Sequence, residues 1–332
     1  MINLEKLFEN FLSAAVKNFP GKYKTPADLE EDMPKLYEKW LNTPAKSLGG
    51  LSPTAYVDEL DKKGLVFDYI TEILSSGGEV SDVVTEKMLQ NPDAVFELPS
   101  MCRSGNEALV SYAAENLQKT ESKEADEVFL EAAANAEANP TLRRYAYEYL
   151  SSGKERLLDE LLELSETLDG DAKDFLMEIL ACYKGDKRVY YALVTMLYRA
   201  ENVPLYADLL AKYDDPAAID VLKSFADENP EINYQEFLEL RYAVERLGGE
   251  WTAEKDFSED PLYKFQHEDE KTGRENPLDE LEKAVKAETA YKRDDDSDGY
   301  VSRQNLHIFS KRHIFIKFQK NFSKIVDFSE KV

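Results

Sequence analysis

From residue 123 to residue 247 the apolar residues return every three or four positions, and glycine, proline or asparagine interrupts the pattern at near-regular intervals. Ala125, Val128, Phe129 and Ala132 share one helix face, and Asn139-Pro140 stops it. Leu142, Tyr145, Ala146 and Tyr149 form the next face, which ends at Gly153, and Phe175, Leu176, Ile179, Leu180 and Tyr183 form another, which ends at Gly185. Spacing of this kind places the apolar side chains on one stripe of an amphipathic helix. Helix starts near Lys123, Thr141, Lys154, Asp171, Lys187, Val203, Pro216 and Asn233, taken in pairs, recur about every 30 residues, within the range of stacked helical hairpins. One hairpin cannot bury its apolar face alone; stacking on neighbours does so. Strand signals are missing: no Asn-Gly turn occurs, and alternation with a period of two is not sustained.

Upstream, Leu4, Leu7, Phe8, Phe11, Leu12, Ala15 and Val16 read as one helix stopped by Pro20-Gly21. Thr25-Pro26 starts a second, which Pro34 restarts or kinks. Ser52-Pro53 opens a third, carrying Tyr56, Val57 and Leu60. Short regular helices follow from Leu65. Beyond Gly249 the composition turns acidic and polar, with one expected helix from Pro277 to Tyr291. Residues 301–332 change again: seven Lys and Arg face only Asp327 and Glu330, and five phenylalanines occur without alanine or glycine. Ile308, Phe315, Phe318, Phe322 and Ile325 fall at helical steps, so this tail is either a basic amphipathic helix or the product of an unintended A/T-rich reading frame.

At this point the chain resembles the HEAT-like α-helical repeat proteins of bacteria. Segments such as Pro216-Ala217-Ala218-Ile219-Asp220-Val221-Leu222 carry the likeness, which extends over about residues 65–247. The resemblance implies an all-α fold, a right-handed α-solenoid. The expected organisation is an N-terminal helical segment (1–60), a repeat domain (61–250), an acidic cap or linker (251–300) and a poorly ordered tail (301–332).

Charge narrows the function classes. The 332 residues hold 41 Lys and Arg against 66 Asp and Glu, a formal net charge of -25. Such a surface repels phosphate backbones and anionic lipid, which argues against nucleic acid and against a membrane for the main body, and also against a DNA glycosylase built on helical repeats. The first sixteen residues carry no basic leader, and Glu9 and Asn10 interrupt the nearest apolar stretch, so a cytoplasmic location is expected.

The catalytic inventory is thin. His267, His307 and His313 are the only histidines, and they lie apart from Cys102 and Cys182. No phosphate-cradling glycine loop and no histidine pair at metal-ligand spacing occurs. Cys182, between Ala181 and Tyr183, reads as a buried small hydrophobe. The expectation is therefore a non-enzymatic cytoplasmic scaffold that binds a partner protein or peptide, basic in character. Nineteen tyrosines offer candidate contact residues, of which Tyr145, Tyr149, Tyr190 and Tyr198 are assigned to partner binding.

One motif points elsewhere. Asp294-Asp295-Asp296-Ser297-Asp298-Gly299-Tyr300-Val301-Ser302 resembles the EF-hand calcium loop. The resemblance implies carboxylates from Asp294, Asp296 and Asp298, a sharp turn at Gly299, the carbonyl of Tyr300, and a hydroxyl or water contact at Ser302. Asn305 stands where that loop has a bidentate Glu, and no second loop pairs with it. A solvated acidic linker is the other reading. No other cofactor is expected; a calcium-responsive protein is the alternative function.

Overall fold

The computed structural model describes residues 1–18, 21–23 and 25–272. Among these residues every regular element is helical, and the chain divides into two compact units at Ala125/Asp126.

The first unit opens with α1 (Leu4–Asn18) and α2 (Pro26–Leu41). It continues through α3 (Pro53–Lys62), α4 (Val66–Ser75), α5 (Asp82–Gln90), α6 (Ala94–Cys102) and α7 (Glu107–Leu117). Helix starts follow local chemistry. Thr25 and Asp28 bond reciprocally as a capping box ahead of α2, and Ser52 and Asn106 accept the first free N–H groups of α3 and α7. α2 runs unbroken through Pro34. The N–H that proline lacks would have bonded to residue 30, and Glu30 is solvent-exposed, so its carbonyl is left to water. The packing also joins the helices on either side of residue 60: α3 lies against α2, α4 and α5.

Two contacts fix the N-terminal end. Phe8 of α1 meets Tyr37 and Trp40 of α2 with ring centroids 5.1 and 4.9 Å apart. Tyr69 of α4 is completely buried; its hydroxyl accepts from the Leu4 N–H at 3.1 Å and donates to the Ile2 carbonyl at 2.9 Å. Burial pushes the Tyr69 phenol up to about 12.

α8 (Lys123–Ala134) straddles the boundary, and the second unit continues with α9 (Pro140–Leu150), α10 (Leu158–Thr167) and α11 (Gly170–Leu180). α12 (Lys187–Arg199), α13 (Val203–Tyr213), α14 (Ala218–Glu228), α15 (Tyr234–Arg246) and α16 (Pro261–Thr272) complete it. α10 packs on α11, α12 on α13, and α14 on α15, while α13 also packs on α15. Asn139, Asp186, Asn202 and Asn233 cap α9, α12, α13 and α15 with their side chains.

A recurrent polar tie links residues about one hairpin apart. Tyr149 donates to Asp126 at 2.7 Å, and Arg156 grips the same carboxylate at 2.7 and 3.2 Å. Tyr183 donates to the Leu150 carbonyl at 2.7 Å, Tyr206 to Asp174 at 2.5 Å, and Tyr213 to the Asp186 carbonyl at 2.9 Å. Lys255 donates to the carbonyls of Ala226 and Asn229 at 2.7 and 2.8 Å, closing the C-terminal end of α14.

Two expectations need correction. α6, which contains Pro99, and α16 lie where the sequence reading placed no helix. α6 is nonetheless held by the burial of Leu98, Pro99, Met101 and Cys102. The expected helix at 277–291 and the tail at 301–332 fall outside the described residues.

Substituting Tyr69→Phe removes a donor from the Ile2 carbonyl and leaves the buried Leu4 N–H without its acceptor. The expected loss in urea unfolding is about 1–3 kcal/mol with an unchanged denaturant slope.

Candidate functional site

The second unit carries a cleft of about 630 Å³ between α10 and α12, floored by α11. Helical spacing builds it. Asp159, Glu163 and Glu166 stand on one stripe of α10, and Arg188, Tyr191, Thr195 and Arg199 on one stripe of α12. The two walls are tied at one end, where Arg188 donates to Asp159 at 2.7 Å while also gripping Asp186 at 2.8 Å. Arg188 to Arg199 covers about 16 Å of helix, the reach of about five residues of extended chain. Tyr191 stands in this wall 62% exposed, its ring edge-on to Tyr190 with centroids 5.6 Å apart.

The floor holds the unusual residue. Lys173 is 8% exposed, and Met177 lies one turn further along the same face of α11. Its ammonium makes no hydrogen bond or ion pair with any described residue. Nor is it among the side-chain polar atoms sealed in the interior without a partner, so it reaches solvent, and the solvent it lines is the cleft. Arg199 likewise has no ion pair among the described residues.

The opposite face of α11 is occupied by structure. Lys212 of α13 donates to the Tyr147 hydroxyl and to the Glu178 carbonyl, both at 2.8 Å. Burial works against its charge, but the Tyr147 bond and the neighbouring Cys182 sulfur outweigh it and hold the amine above its ordinary value. Burial raises the Glu178 carboxyl despite the attraction of Lys212. Arg143 lies 4.2 Å over the Phe175 ring. This side is a polar seam between α9, α11 and α13.

The four tyrosines assigned to partner binding separate. Tyr149 is 3% exposed, packed 4.6 Å from Phe129 and bonded to Asp126, so it belongs to the core; its hydroxyl serves a part-buried tie. Tyr145 is half-buried beneath the Arg144 guanidinium at 4.2 Å. Tyr190 is half-buried beside Tyr213, and burial raises its phenol. Tyr198 is 45% exposed with its ring edge against Phe225 of α14. Tyr190 and Tyr198 share α12 with the cleft, but neither lines it; Tyr191 does. Lys173 was legible as an oddity, since it falls at the spacing of the apolar stripe of Leu176, Met177 and Leu180.

Cys182 is half-buried rather than buried, and its thiol donates to the Glu178 carbonyl at 3.7 Å. Cys102 is buried, and burial pushes its thiol up to about 12. Asp294, Asp296, Asp298, Tyr300 and Ser302 lie outside the described residues. Among the described residues no cluster of His, Cys, Asp and Glu is placed to hold a metal ion, and no helix is long and apolar enough to cross a membrane. The sequence matches no known protein family and no curated protein.

The raised Glu178 carboxyl has a consequence for stability. The native state holds this proton to higher pH than the unfolded chain, so this group lowers stability as pH rises from the ordinary carboxylate value through the raised one. Glu178→Gln is therefore expected to melt above the parent at pH 7, with the difference closing as the pH falls below the carboxylate range. Thermal unfolding followed by circular dichroism checks this.

Proposed function

We propose that this chain is a non-enzymatic interaction scaffold, and that the α10–α12 cleft receives a peptide segment of a partner protein. The observation that carries the reading is Tyr191, a large aromatic side chain standing mostly exposed in the wall of a cleft long enough for several residues. Tyrosine supplies contact area at small entropic cost and is enriched where binding energy concentrates. The cleft is shaped by a stripe from each of two helices and is only partly enclosed, which suits an extended segment better than an enclosed small molecule.

The reading extends to architecture. Hydrogen bonds between residues about 30 apart and the pairing of successive helices support a stack of HEAT-like hairpins, an α-solenoid, within the second unit. A cytoplasmic location is part of this proposal. Calcium response through residues 294–305, which lie outside the described residues, is the competing reading.

Selection of displayed peptides against the full chain tests the proposal. Peptides are expected to be enriched on the parent and lost on Tyr191→Ser. They should be kept on Phe96→Ser, which removes an equally exposed aromatic, 69% accessible, from the first unit. Absence of enrichment, or equal enrichment on Tyr191→Ser, refutes it. Both variants should melt within about 0.5 kcal/mol of the parent, as surface substitutions do.

A further inference from the structure

We propose that the cleft recognises an acidic side chain of its peptide, an Asp or Glu whose carboxylate pairs with Lys173, with Arg199 as the second cation. This rests on the reading of the cleft as a peptide site.

The case begins with pairing. A lysine side chain is seldom buried without a partner for its ammonium. In this chain acidic residues outnumber basic ones 66 to 41, so a carboxylate partner is easily supplied. Several other cations in the second unit have one: Arg156 has Asp126, Lys184 has Asp214, Arg188 has Asp159 and Asp186, and Arg246 has Asp208. Lys173, far more buried than any of these, has none among the described residues. Glu163 and Glu166 line the same cleft but form no ion pair with it. The side chain is thus packed away along its stem and held by its helix at the floor of the groove, with the ammonium in contact with the solvent of the cleft and its charge available to a ligand.

The surroundings select the ligand. A carboxylate carries one charge and fits a single ammonium with an arginine nearby; a phosphate dianion meets Glu163 and Glu166 on the facing wall and is repelled. Those two glutamates, themselves without ion pairs among the described residues, favour a Lys or Arg close to the acidic residue of the peptide. Met177 supplies apolar contact for the stem of the incoming side chain. The occupant is therefore a mixed-charge segment of a partner protein, and the acidic residue is the one that reaches the floor.

The test uses the full chain and positional-scanning pools of fluorescein-labelled octapeptides, with binding followed by anisotropy. Pools with Asp or Glu fixed at one position are expected to bind at least about tenfold more tightly than pools with Asn or Gln there, the usual scale for a charge-assisted hydrogen bond. Lys173→Met, which keeps the stem and removes the charge, should erase that preference, and Lys173→Arg should keep it. Unchanged preference in Lys173→Met, or no preference in the parent while Tyr191→Ser still abolishes binding, overturns the carboxylate assignment and leaves the peptide cleft standing. No binding by any pool overturns both. If Lys173→Met does not fold, Arg199→Gln on the exposed wall takes its place, with a partial loss of the acidic preference expected and an unchanged preference counting against the assignment.

Discussion

The hydroxyl of Tyr206 lies 2.5 Å from the carboxylate of Asp174, thirty-two residues earlier in the chain, and the helices of the second unit depend on ties of this kind. Apolar stripes drive the helices together, but burial is non-directional and tolerates sliding. A phenol that must reach one particular oxygen does not. Tyr183 to the Leu150 carbonyl, from the turn after α11 to the end of α9, and Tyr213 to the Asp186 carbonyl, from the end of α13 to the start of α12, repeat the arrangement. Tyrosine suits the task because its ring fills the core while its hydroxyl satisfies a polar group there. Burial and the facing Asp174 together drive the Tyr206 phenol far above its ordinary range, so it remains a donor at any physiological pH.

These ties also explain where the molecule is left open. On the α9, α11 and α13 side, Lys212, Tyr147, Glu178 and the stacked Arg143 and Phe175 close the seam with hydrogen bonds and ring contacts. On the other side of α11 only the Asp159–Arg188 pair at one end joins α10 to α12. The groove beyond it is lined by charges that the fold does not neutralise. α11 therefore has a structural face and a face turned to the cleft, and Lys173 lies on the second.

Much of this was readable in the sequence, for identifiable reasons. The 3.6-residue periodicity and the Asn, Ser, Asp and Pro starts mark most helices, and the helix beginnings from 123 to 234 fall within a few residues of those expected. The failures share a cause. Pro34 reads as a restart or kink and the segment holding Pro99 reads as no helix, yet solvation near Pro34 and tertiary burial around Pro99 carry both helices through. Tyrosine content read as binding surface because sequence cannot separate a buried hydroxyl with a partner from an exposed one. Tyr149 and Tyr191 are alike in type and opposite in role. Tyr191, not Tyr190 or Tyr198, faces the cleft because of helical phase, which one residue changes by about 100°.

The most direct test of this account is a double-mutant cycle on Tyr206→Phe and Asp174→Asn, with unfolding followed in urea. If the tie sets the relation of α11 to α13, the two substitutions are coupled: each costs stability alone, and together they cost less than their sum by about 0.5–3 kcal/mol. Strict additivity, or no loss in either single variant, would contradict the claim that these hydroxyls hold the helices in place.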